Sequence, residues 1–225
     1  NVYAYKTQDH TLTRINNKTL PGIQTATWFP DGSSALVRFL SGETSSILST
    51  YSLAASSTEG FFLAQDSADV GTSASSILSV ASGQGGSVGT LLHRDGTQGV
   101  PAFTTPLGQI RASFAGKAYL VVTRAAAGTD GYAYLVDPKT KRFTLVAGPL
   151  KGLTALPSTT GGFLLVTGTS AEGKGVSALV DTKTHEMIPL PFSTIAEKCV
   201  WTSDDTMVYC GCLLYTSPSP RDQRG

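Results

Sequence analysis

Cys199 and Cys210 are the two side chains of this 225-residue chain whose spacing points most directly to chemistry. If a hairpin turn is centred on Asp204-Asp205, opposed residues have numbers summing to 409, a condition the two cysteines meet. In an antiparallel ladder a non-hydrogen-bonded pair of this kind brings Cα atoms within disulfide reach. A slip of one residue would send the side chains to opposite faces. Two readings stay open at this stage: a cross-strand bridge, which suits an oxidising compartment, or two buried free thiols. Zinc is disfavoured, because no second Cys or His pair has ligand spacing.

The other reactive residue types read as structure. His10, His93 and His185 stand alone beside polar turn residues and form no His-x-x-x-His or His-x-Glu pattern, so solvated loops are expected. Asp137 and Asp181 recur in matching contexts, which suits turn formers that accept backbone hydrogen bonds better than a carboxylate pair for acid-base work. The Gly-rich stretch at 82–89 has no Gly-Lys-Ser/Thr ending and no helix to follow. It is expected to be a flexible hairpin loop and not a phosphate cradle. There is no Gly-x-Ser-x-Gly elbow. No catalytic residue, cofactor or metal is therefore expected, and the chain reads as a non-enzyme.

The elements that carry these residues repeat. AYLVDPKTKR at 133–142 aligns with ALVDTKTHE at 178–186, which places Asp137 and Asp181 44 residues apart. A polar turn followed by an apolar strand recurs at 114–124, 159–168 and 202–211, and matching Val122, Val166 and Cys210 gives spacings of 44 and 44. The same form stands at 28–39, where Phe39 precedes Val122 by 83 residues, or two periods. The intervening repeat is degenerate: SSILSV at 75–80, then 86–98 with Asp95 lying 42 residues before Asp137. Trp28 and Trp201, 173 apart, fall at equivalent positions and are expected to pack repeatedly in the core. Asp31-Gly32 and Asp95-Gly96 supply the positive φ that tight hairpins need.

Short strands at a period of 41–44 residues are the spacing of propeller blades, each a small four-stranded antiparallel sheet of WD type. Helical repeats of similar length fail, because the apolar runs are four to six residues long and no stretch of ten holds a 3.6-residue period. WFPDGSSALVRF at 28–39 and EKCVWTSDDTMVYC at 197–210 resemble the W-[ST]-P-D-G signature of TolB-like bacterial propellers. Glu-Lys-Cys-Val-Trp at 197–201 is also similar to a run in uncharacterised bacterial propellers with an extracytoplasmic location. The resemblance covers about residues 1–211 and implies an all-β partial β-propeller, with about four complete repeats and partial blades at both ends. It departs from the signature at 159–168, which lacks the Pro-Asp, and at 75–80, which lacks the aromatic.

Composition narrows the function. A net charge of +1, with 15% charged residues and no basic run, argues against nucleic acid as a partner. No window approaches 18 consecutive apolar residues, so no membrane span is expected, although an anchor before Asn1 stays open. Cys212–Asp222 resembles the translation of a transposase adaptor used in sequencing libraries, so 1–211 is read as the propeller fragment and 212–225 as an artefactual tail. A fragment of that kind would form an open arc with exposed end sheets. The expected function is binding or scaffolding, with a protein or glycan recognised through blade loops in an extracytoplasmic setting. The alternative is the propeller domain of a larger serine peptidase.

Overall fold

The computed structural model describes residues 3–14, 18–41, 47–54, 60–63 and 67–211; the segment 212–225 lies outside the described residues. The chain is built of strands that follow one another as antiparallel meanders. β1 (Tyr3–Tyr5) pairs with β2 (Leu12–Arg14). One four-stranded sheet holds β3 (Ile23–Trp28), β4 (Ser34–Ser41), β5 (Ile47–Ala54) and β6 (Gly60–Phe62). A second holds β7 (Ser67–Thr72), β8 (Ser76–Gly83), β9 (Gly86–His93) and β10 (Val100–Thr105). The next strands in succession are β11 (Ile110–Ala115), β12 (Ala118–Thr123), β13 (Asp130–Val136), β14 (Phe143–Pro157), β15 (Phe163–Thr169), β16 (Gly175–Asp181) and β17 (Met187–Pro189). A 3-10 turn, Ala196–Lys198, leads into the hairpin of β18 (Cys199–Trp201) and β19 (Val208–Cys210). The openings of β3, β7 and β11 at Ile23, Ser67 and Ile110 keep the repeat legible in the sequence.

The chain divides into two compact units, Asn1–Thr123 with Leu135–Thr144, and Arg124–Tyr134 with Leu145–Gly225. In the first unit the inner strands are apolar on both faces: one face of the β3–β6 sheet packs on the β7–β10 sheet, and its other face is covered by Leu20. Ala35 to Phe39 of β4 are buried without a break. Alternate residues serve opposite faces: Leu36 joins Phe29, Leu63, Val70 and Ile77, while Val37 and Phe39 join Leu20, Tyr51 and Leu53. β8 divides in the same way, Ile77 toward that first cluster and Leu78 and Val80 toward Phe103, Ile110, Tyr119 and Val121. This explains why the strands read as continuous apolar runs and not as an alternation.

In the second unit Leu164, Leu165 and Val166 of β15 are fully buried, together with Leu153, Val180 and Ala196. β15 pairs with β14 on one side, Leu165 opposite Leu156, and with β16 on the other, Leu165 opposite Leu179.

Two sequence expectations need correction. The Gly-rich stretch 82–89 is no flexible loop: β8 continues to Gly83, β9 starts at Gly86, and the two are joined by a two-residue turn. Glycine is required at Gly86, where φ is 116° and a Cβ would collide with the Thr105 carbonyl oxygen. Trp28 does not pack in the core. It is 56% exposed, and its neighbour Phe29, at 1%, is the buried aromatic.

Candidate functional site

In a meander of four antiparallel strands, the first and third turns lie at one end of the sheet. The second turn and the connection to the next sheet lie at the other. Every aspartate singled out by the repeat belongs to the first class. Asp31 lies between β3 and β4, Asp95 between β9 and β10, Asp137 between β13 and β14, and Asp181 between β16 and β17. Each carboxylate closes its own turn. Asp31 and Asp95 accept the N–H of Ser33 and Thr97 at 3.0 Å, and Asp137 accepts those of Lys139 and Thr140 at 2.9 and 2.7 Å. Asp181 accepts Lys183 and Thr184 at 2.7 and 2.9 Å. Hydrogen bonds from Thr97, Thr140 and Thr184 lower the pKa values of Asp95, Asp137 and Asp181 respectively. Positive φ falls on Gly32 (66°) and Gly96 (79°), and on His10 and His185, which complete turns of their own at 56° and 60°. His93 is exposed beside Asp95.

At this end the turns of neighbouring sheets also grip one another, which the sequence does not announce. Arg94 donates to both carboxylate oxygens of Asp31 at 2.7 and 3.0 Å, with its guanidinium 4.2 Å above the Phe29 ring. This fork holds the Asp31 carboxyl well below the usual carboxylate range. In the second unit Asp205, at φ 58°, takes the N–H groups of Thr159 and Thr160 at 2.6 and 2.8 Å. Trp201 donates its indole N–H to the Leu156 carbonyl at 3.4 Å. Deeper in the first unit, Arg38 donates to the Ser67 and Ala68 carbonyls at 2.9 and 2.7 Å and lies 3.6 Å from Asp69. Asp69 accepts the Ala112 N–H at 2.9 Å, and burial raises its pKa in spite of that bond and of Arg38.

The opposite end carries a cavity of about 550 Å³ in the second unit. Its walls are the β12–β13 connection at Ala125–Ala127, the middle of β14, the end of β15, and the Thr194–Glu197 segment that enters β18. Gly152 at φ 61° donates its N–H to Ala126 at 3.0 Å and fixes one wall. Two hydroxyls meet at the floor: Thr154 Oγ1 and Thr167 Oγ1 are 2.8 Å apart, and the Ala196 N–H donates to them at 3.2 and 3.1 Å. Lys151 and Thr169 stand on the rim, with Glu197 as the acid of the lining. The segment carrying Thr194 and Glu197 is tied down behind. Cys199 and Cys210 face each other at a Cα separation of 4.0 Å and are joined by a disulfide, and Gly211 donates its N–H to Lys198 at 2.9 Å. A smaller cavity, about 300 Å³, occupies the corresponding end of the first unit, where Lys18 lies 4.3 Å over Phe62. Among the described residues no group of three or more His, Cys, Asp or Glu side chains is placed to hold a metal ion. None of the cavity residues was singled out by the repeat.

The arrangement of these sheets has solved counterparts. TolB from Acinetobacter baumannii superposes with a TM-score of 0.67 over 92% of this chain at 14% identity. The fold is that of a partial β-propeller, similar to the one in TolB. The chain spans about half the length of that structure, 52%. Two other propeller matches are Kuenenia stuttgartiensis hydrazine synthase (TM-score 0.61, 10% identity, 93% of this chain and 66% of that one) and Pyrococcus horikoshii acylaminoacyl peptidase (TM-score 0.59, 9% identity, 84% and 34%). No protein-family model matches the chain, and no curated protein matches it in sequence. At these identities the likeness concerns the propeller fold alone. The meanders are its blades, so the aspartate turns and the cavity lie at opposite ends of the blades that carry them. No helix among the described residues is long and apolar enough to cross a membrane.

Proposed function

We propose that this propeller is a non-enzymatic binding module that recognises a protein or glycan through the loops around the cavity of its second unit. The observation that carries the reading is the asymmetry between blade ends. At one end carboxylates and turn amides are consumed in closing turns and joining neighbours. At the other, a hydroxyl-floored cavity with Lys151 and Glu197 on its rim presents unlike side chains from two connections and the strands between them. The disulfide at Cys199 and Cys210 behind this cavity supports an oxidising, extracytoplasmic setting.

A capture experiment with the full chain as bait tests the reading. Lys151→Glu, on the cavity rim, is expected to reduce recovery of a partner at least tenfold, whereas Lys183→Glu, in an aspartate turn, leaves it unchanged. Equal recovery by the two variants, or turnover in an activity screen, would refute it. A second reading, the propeller domain of a serine peptidase, is favoured by the likeness to acylaminoacyl peptidase, of which the chain spans about a third, 34%. A Gly-x-Ser-x-Gly elbow encoded in the same reading frame would decide for it.

A further inference from the structure

We propose that the cavity of the second unit takes the free C-terminal carboxylate of an extended peptide, an inference that rests on the reading of this cavity as the binding site. The ground for it is a proton count at the floor. Thr154 and Thr167 bring two O–H protons, and the contact between their oxygens uses one of them. The Ala196 N–H is a donor to both oxygens, so it fills acceptor capacity and takes up neither proton. No other acceptor among the described residues bonds to either hydroxyl, so one O–H proton is left over, whichever threonine donates to the other. Thr167 is buried, at 2% exposed, while Thr154 is half-buried at the cavity surface. The spare donor therefore requires an acceptor supplied from the cavity, by solvent until a ligand displaces it.

The rim decides which acceptor. Lys151 adds a cation and Thr169 a further hydroxyl, so donors predominate and the complementary group is an anion. One ammonium without a guanidinium fork, in a lining that also holds the acid Glu197, suits a monoanionic carboxylate better than a phosphate dianion. The free end of a peptide also carries an amide N–H beside its carboxylate, a donor for Glu197. Ile195, 45% exposed, and Ala125–Ala127 offer apolar contact to the terminal side chain. Among the described residues no aromatic ring lines the cavity, so a uronic acid, which would bring the same carboxylate on a sugar, finds no stacking surface there.

Titration of the 15N-labelled full chain with N-acetyl-Ala-Ala-Ile as free acid, with its carboxamide and with galacturonic acid tests this. The free acid is expected to shift the amide signals of Gly168, Thr169 and Ala196 saturably. Affinity should fall at least tenfold for the carboxamide and for Lys151→Ala, and severalfold for Thr169→Val. Carboxamide binding as strong as acid binding would overturn the proposal. So would galacturonic acid shifting these amides in place of the peptide, or no shift with any probe. If Lys151→Glu abolishes partner capture while the free acid shifts nothing, the cavity remains the binding site and the carboxylate assignment alone falls.

Discussion

Asp205 shows how a residue with an ordinary turn role gains a second one. Its neighbour Asp204 closes the hairpin by accepting the Thr206 N–H at 3.2 Å, as an Asx turn requires. Asp205 occupies the left-handed position at φ 58°, and its carboxylate reaches out to Thr159, Thr160 and the Thr160 hydroxyl at 2.6 Å. Partial desolvation raises its pKa, but the hydrogen bonds from Thr160 and Thr159 outweigh this and bring it down to about 2. An unfolded aspartate titrates near 3.9, so the folded state favours the ionised form. The resulting stability is fully present above about pH 4 and is lost as pH falls toward 2. Asp205→Asn keeps a residue that tolerates positive φ and removes the charge. It is expected to cost about 1 kcal/mol at pH 7, a figure discounted for partial exposure, with the deficit closing near pH 2.5. Urea unfolding at the two pH values measures both. A deficit of the same size at pH 2.5 would show that the carboxylate charge plays no part.

The strand-turn-strand element shows what the sequence could and could not disclose. The 44-residue recurrence, the Asp-Gly turns and the length of the apolar runs report backbone conformation directly, and these placed β3–β4, β13–β14 and β16–β17 where they are found. The mistake over Trp28 has a physical cause. Consecutive residues of a strand point to opposite faces, so of Trp28 and Phe29 one ring is buried, and which one depends on how the chain leaves β3. β3 ends at Trp28, and Phe29 turns inward, donating its N–H to Ser34 at 3.0 Å and packing on Leu36, Leu63, Val70 and Ile77. Arg94 from the next blade covers its ring, a contact 65 positions away that no local pattern encodes. Phe29→Ala is accordingly expected to destabilise the chain by about 3–4 kcal/mol, and Trp28→Ala by less than about 1 kcal/mol. Chemical denaturation of the two variants side by side would expose an error if the tryptophan proved the costlier loss.

Across the chain, legibility follows blade polarity. Turns that must reproduce one geometry in every blade converge on one vocabulary, Asp followed by Gly or by a short polar run, and repetition makes them visible. The connections at the other blade end need only close, so Ala125–Ala127, Ser170–Lys174 and Thr194–Lys198 share no pattern. Lys151, Thr154, Thr167 and Thr194 therefore left no mark in the sequence: each is one of many polar residues until the strands bring it to the cavity. The same polarity implies unequal tolerance to change. Ser170–Lys174 is an exposed turn held by the Ser170 N–H to Lys174 at 2.8 Å, and lengthening it adds only loop entropy, well under about 1 kcal/mol. A Gly-Ser insertion after Glu172 is expected to leave the melting temperature within a few degrees of the parent. The same insertion after Lys183 separates Asp181 from the Thr184 N–H at 2.9 Å and moves His185 from its left-handed position. Loss of those bonds is worth about 1–2 kcal/mol and should lower the melting temperature several degrees further. Calorimetry on both insertions gives the comparison, and equal losses would mean that the aspartate turns constrain the blades no more than the loops do.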